Sequence, residues 1–118
     1  MKMDNNVVLL SKLLDLTQTK NKVLANNIAN ANTPGFKKFD VTFHNELQKA
    51  VESKNIGKIK QLQEKIAVSS EKSSKKDGNN VDLDKELVSF YRTSDRHNIY
   101  LEILAKKFKG MLAAINGR

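Results

Sequence analysis

At 118 residues with no cysteine, the chain is expected to form one domain and has neither a disulfide framework nor a thiolate metal site. Its apolar runs, such as Val7 to Leu10, fall far short of the roughly twenty residues a membrane-crossing helix needs. A net charge of +8 invites an acidic partner: nucleic acid, anionic lipid or an acidic protein surface.

The start does not read as a cleaved signal peptide. Asp4, Lys12 and Asp15 interrupt the apolar stretch, and no small-residue cleavage site follows. Residues 7 to 31 read instead as one helix. Val7, Leu10, Leu14, Thr17, Asn21, Leu24, Ile28 and Ala31 recur at alternating spacings of three and four, a heptad seam. Leu9, Leu13, Leu16 and Val23 widen it into a second flank. The helix would be about 37 Å long. Asn21 is a polar seam residue of the kind that fixes register at some cost in stability.

The string ANNIANANTPGF, Ala25 to Phe36, is the most informative segment. Asn26, Asn27, Asn30 and Asn32 crowd the end of the helix, where Asn is a poor helix former and Pro34 a fixed stop. Asn27, Ile28 and Ala31 share a helical face, as do Asn26 and Asn30. Side-chain amides thus stand where they can bond neighbouring helices or the turn. Thr33-Pro34-Gly35-Phe36 reads as a type II turn, with Pro34 presetting φ and Gly35 supplying φ > 0.

Phe36, Phe39 and Phe43 then fold the chain back onto the helices, and residues 42 to 52 read as a short helix with Phe43, Leu47 and Val51 on one face. Residues 53 to 76 are lysine-rich; Ile56, Ile59, Leu62 and Ile66 suggest a weak helix or a strand, and 66 to 70 a strand. SSEKSSKKDG is a flexible loop by composition. Asp77-Gly78-Asn79 is a turn. Asp82 or Asp84 caps a last helix running to about Ile115, where Gly117 can end it. Its seam is Leu83, Leu87, Phe90, Ser94, His97, Leu101, Leu104, Phe108, Met111 and Ile115. Lys106, Lys107, Lys109 and Arg118 complement its negative end. The fold class is therefore mainly α: an elongated hairpin of two long terminal helices around a small irregular middle. One partner helix does not cover either seam fully, and the surplus apolar flank argues for assembly with other chains.

Catalytic chemistry has no foothold here. His44 and His97 belong to no ligand-spaced cluster. Asp82, Asp84 and Glu86 lack EF-hand spacing, and the five glycines make no phosphate loop. Neither a cofactor nor a small-molecule substrate is expected. The charge is mostly Lys and widely spread, with Arg only at 92, 96 and 118, which favours a solvated surface or an acidic protein partner over nucleic acid. A basic helical hairpin that binds nucleic acid is the alternative class.

ANNIANANTPGF resembles the N-terminal signature of bacterial flagellar rod and hook proteins, with Phe36 where Tyr is common. DGNNVDLDKEL, followed by Tyr100, Leu101, Leu104, Phe108, Ala113 and Ile115, resembles the end of the proximal rod proteins of the flagellar basal body, the FlgB type. The resemblance spans roughly residues 7 to 43 and 77 to 116 and leaves out 53 to 76. It implies a structural subunit of the rod, the drive shaft crossing the periplasm, exported by the flagellar type III apparatus without a cleaved signal. It implies as partners the other rod proteins, the rod-base adaptor and the membrane ring.

Overall fold

A computed structural model describes residues 5–42, 44–73 and 75–117, without the side chains of residues 44–46 and 50. Expectations attached to Phe43, Ser74 and Arg118, and to the His44 side chain, lie outside the described residues. Two long helices, α1 (Asn5–Ala29) and α4 (Leu83–Ile115), run antiparallel. Between them lie β1 (Phe39–Thr42), α2 (His44–Glu52), α3 (Ile56–Gln61) and β2 (Lys65–Val68). The molecule measures 65 × 26 × 17 Å, and its radius of gyration is 18.0 Å. A compact chain of this length would have about 13–14 Å. The elongated, mainly helical hairpin is thus the observed architecture.

Helix α1 forms because its leucines repeat at seam spacing. It ends two residues before Ala31. There Asn30 N donates to both Asn26 O and Asn27 O, and Ala31 N and Thr33 N donate to carbonyls three residues back. The last turn tightens in this way because each Asn offers a local alternative to the helical ladder. Helix α4 begins where Asp82 Oδ1 accepts from Lys85 N, so Asp82 is the cap and Asp84 a first-turn acid favoured by the helix dipole. At the far end Gly117 adopts φ 70°, and Asn116 N and Gly117 N bond back onto the last turn.

The two helices meet through a polar layer. Thr17 Oγ1 lies 3.0 Å from Leu14 O and shares a hydrogen bond of 2.8 Å with His97 Nδ1. Ser94 Oγ donates to Phe90 O, leaving its lone pair to accept from Asn21 Nδ2 at 2.9 Å. All four residues occupy heptad positions. Moved by one heptad on each helix, the same register sets Leu24 opposite Phe90, Leu10 opposite Leu104 and Ile28 opposite Leu87. Asn21 Oδ1 is buried and finds no donor among the described residues. That is the stability cost expected of a polar seam residue that fixes register.

The seam of α4 needs a correction. Leu101, Phe108 and Ile115 remain 45%, 47% and 62% exposed, while the buried residues are Glu86 and Thr93, with Tyr100 partly buried on the same heptad line. The packed face keeps the line Phe90, His97, Leu104 and Met111 and, towards the C-terminal end, exchanges the Leu101 line for the Glu86 line. The cause is the middle segment: β1 lies against α1 on that side, and α4 turns its Glu86 line towards it.

In the middle, Ile59 of α3 packs on Val8 of α1, flanked by Leu9, Ile56 and Leu62. Lys12 Nζ reaches Leu62 O just past the end of α3. Residues 56–61, open between helix and strand by sequence, are helical, and the strand expected at 66–70 occupies Lys65–Val68. It pairs antiparallel with β1, Phe39 opposite Val68 and Thr42 opposite Lys65. The serine- and lysine-rich loop is tied down at several points. Ser69 N donates to Lys38 O, Glu71 pairs with Lys38, and Asn80 Nδ2 bonds Glu71 O.

Candidate assembly site

The two motifs at opposite ends of the sequence fold into one structure. After α1, the turn Thr33-Pro34-Gly35-Phe36 closes with Phe36 N donating to Thr33 O at 3.2 Å, and Gly35 has φ 73°. This positive φ lets the chain reverse and presents Gly35 N to Asp77 O at 2.8 Å. The DGNN segment then inserts its asparagines beneath the turn. Asn79 is 0% exposed; its Nδ2 donates to Asn30 O and to Thr33 O, each at 2.9 Å, while its Oδ1 accepts from Val81 N at 2.8 Å. Two carbonyls just past the end of α1, which already accept from Thr33 N and Phe36 N, each gain a second donor this way. Asn80 Oδ1 accepts from Lys38 N, and Asn80 N donates to Phe36 O.

Asn27 works from the other side. It is 1% exposed, and its amide bonds both backbone groups of Phe39: Phe39 N to Oδ1 and Nδ2 to Phe39 O, each 2.9 Å. The carboxamide copies the donor–acceptor pair of a neighbouring strand. Nδ2 also lies 3.3 Å from Glu86 Oε2. Glu86 is 6% exposed, and its other oxygen lies 3.8 Å from Lys38 Nζ, which makes a 2.9 Å ion pair with Glu71. A buried carboxylate next to a cation and an amide is satisfied rather than stranded. Burial works to lower the Lys38 pKa, but the hydrogen bond to Glu71 and the charges of Glu71, Asp40 and Glu86 leave it raised. The same Lys38 hydrogen bond holds the Glu71 carboxyl below the usual carboxylate range.

The remaining motif residues divide into two groups. Ile28 and Ala31 face inward with Asn27, whereas Asn26, Asn32, Thr33, Pro34 and Gly35 are exposed. Asn30 is partly buried; its amide turns back to Asn26 O, and its Oδ1 accepts from Thr33 Oγ1. Phe36 stacks edge-on against Phe39 at 6.1 Å. In the seam, Leu10 and Leu24 are buried, and Leu14, Leu87, Phe90, Leu104 and Met111 are partly buried. Sequence reasoning placed Asn79 in a turn and Asn79, Asn80 and Glu86 within the DGNNVDLDKEL block but gave them no bonding role, and it passed over Lys38. For the two asparagines a signal existed: adjacent amides between a turn and the fully buried Val81. Nothing signalled the burial of Glu86 or of Lys38, since a Glu in the first turn of a helix and a Lys on a charged chain read as solvated. The site fixes the hairpin's closed end through hydrogen bonds. Among the described residues no group of three His, Asp or Glu could hold a metal, and no helix is long and apolar enough to cross a membrane.

Known proteins match along nearly the whole chain. The family described as flagella basal body rod protein matches residues 14–37, which include α1's second half and the turn. The flagellar basal body rod protein FlgB of Aeromonas hydrophila is 31% identical over 88% of this chain and 87% of its own length. FlgB of Borrelia hermsii is 31% identical over 90% and 92%, and that of Bacillus subtilis 30% identical over 92% and 91%. The chain belongs to the FlgB family of flagellar basal body rod proteins.

Proposed function

We propose that the chain is a structural subunit of the proximal rod, packing by its helices into the drive shaft that carries torque across the periplasm. It acts as a single domain, leaves the cytoplasm through the flagellar type III export apparatus without a cleaved signal, and meets the other rod proteins, the rod-base adaptor and the membrane ring. Family membership supports the rod role. The observation that carries the assembly reading is the line Leu101, Phe108 and Ile115, exposed on the C-terminal half of α4. Large apolar side chains at heptad spacing outside an already closed hairpin are suited to a helix from another subunit. The clamped end made by Asn79, Asn27 and Gly35 gives each subunit one fixed shape to add, and non-closing contacts between identical shapes build a helical tube. The test is deletion of the gene in its host, with complementation by a tagged chain. Basal bodies from the deletion strain should stop at the membrane ring, and the tag should lie in the rod of complemented ones. Normal rods in the deletion strain would contradict the reading.

A further inference from the structure

We infer that β2 is a docking edge that takes an acidic extended strand from another protein. In the antiparallel pair, Ser69 N donates to Lys38 O, which makes Phe39 and Val68 a non-hydrogen-bonded pair. By alternation Asp40 and Ala67 bond each other, whereas the N–H and C=O of Ile66 and Val68 point away from β1. No partner among the described residues meets them. On β1 the corresponding outward groups of Phe39 are both taken by Asn27. The β1 edge is thus capped at Phe39 by α1, whereas β2 is open at both of its outward residues. Ile66 and Val68 on the open strand are 54% and 57% exposed, although β-branched residues in strands are usually packed. A two-stranded sheet is marginal alone, and a third strand would complete it.

Charge selects the occupant. Residues 58 to 76 carry six lysines against two glutamates, and one of those, Glu71, is already paired with Lys38. A second copy would bring two lysine-rich segments together, like charge against like charge, the arrangement by which edge strands avoid self-pairing. A lipid surface would attract the lysines but leave the outward backbone groups without partners. A strand with Asp or Glu beside its apolar residues meets both needs. With only two outward residues the ladder is short, so the contact depends on that complementarity.

The test is amide exchange on the purified full chain with two synthetic octapeptides, one alternating valine with glutamate and one alternating valine with lysine. The acidic peptide should protect the Ile66 and Val68 amides and bind about tenfold tighter or more than the basic one. Val68→Pro removes an outward donor and should abolish the protection. Should that variant lose its fold by circular dichroism, Lys65→Glu serves instead and should reverse the peptide preference. Equal binding of both peptides, or no protection by either, overturns the inference. So does protection produced by phosphatidylglycerol vesicles, or by raising the chain's concentration alone.

Discussion

Asn79 stands 49 positions beyond Asn30, yet its side-chain nitrogen lies 2.9 Å from that residue's carbonyl. The contact joins the end of α1 to the approach to α4, and through Thr33 it also fixes the turn. One buried amide satisfies three backbone groups. The hairpin's closed end is therefore specified by hydrogen-bond geometry rather than by apolar packing, which accepts many alternatives.

Asn79→Ala should lower unfolding free energy by about 1–3 kcal/mol, since the Val81 N–H loses its partner and the Asn30 and Thr33 carbonyls each lose one of two donors. Asn79→Asp should be worse than Ala at neutral pH, because a carboxylate oxygen would face two carbonyls. The exposed Asn32→Ala should stay within about 0.5 kcal/mol. Urea midpoints of the three variants check the order.

Gly35 separates backbone strain from collision. Its φ is 73°, but an added Cβ would meet nothing within 4 Å. Gly35→Val should therefore cost about 1–2 kcal/mol through the left-handed conformation alone. Gly35→Asn should cost less, since Asn visits that region more readily. Equal losses for Val and Asn in thermal melts would contradict this.

Core and assembly surface should respond differently. Leu24 is buried, and Leu24→Ala should destabilise the isolated chain by about 2–5 kcal/mol. Phe108 is 47% exposed, and Phe108→Ala should change that stability by under about 1 kcal/mol. It should nevertheless reduce rod assembly in cells. Paired measurements of urea unfolding and rod yield test the distinction.

The Lys38–Glu71 pair gives a pH dependence with a defined sign. Glu71's carboxyl is lowered by the Lys38 hydrogen bond, so its contribution is complete above the unfolded value of about 4.3 and is lost as pH falls through the lower folded value. Lys38 is raised in spite of its burial, so its contribution is complete below about 10.4 and is lost as pH rises through the higher folded value. Wild type should exceed Glu71→Gln in urea midpoint at pH 7, and the gap should close on acidification. A gap unchanged at pH 2.5 would contradict the pairing.

The helices, the turn and the Asp82 cap were legible because each is a local pattern: heptad spacing, a Pro-Gly pair, an acid before an apolar run. The packed line of α4 was not. Leu101, Phe108 and Ile115 look more like core than Glu86 and Thr93 do, and only the arrival of Asn27 and Lys38 from distant segments makes Glu86 a buried residue. Strand β1 was missed for a related reason. FDVT is too short to signal itself, and it exists through pairing with β2 and through the Asn27 amide along its edge. The asparagine motif was visible as unusual, but which amides turn inward depended on Asn79 and Asn80 meeting it.

The central claim is that α1 and α4 form one antiparallel hairpin, in the register set by Asn21 with Ser94, and that this hairpin is what the rod contains. The chain has no cysteine, so Asn21→Cys with Ser94→Cys can be oxidised in purified basal bodies without competition from other thiols of the same chain. The account predicts an intramolecular disulfide in rod-associated chain, and none for the control Gln18→Cys with Ser94→Cys. Disulfides formed only between subunits, or a crosslinked hairpin that never enters basal bodies, would contradict it.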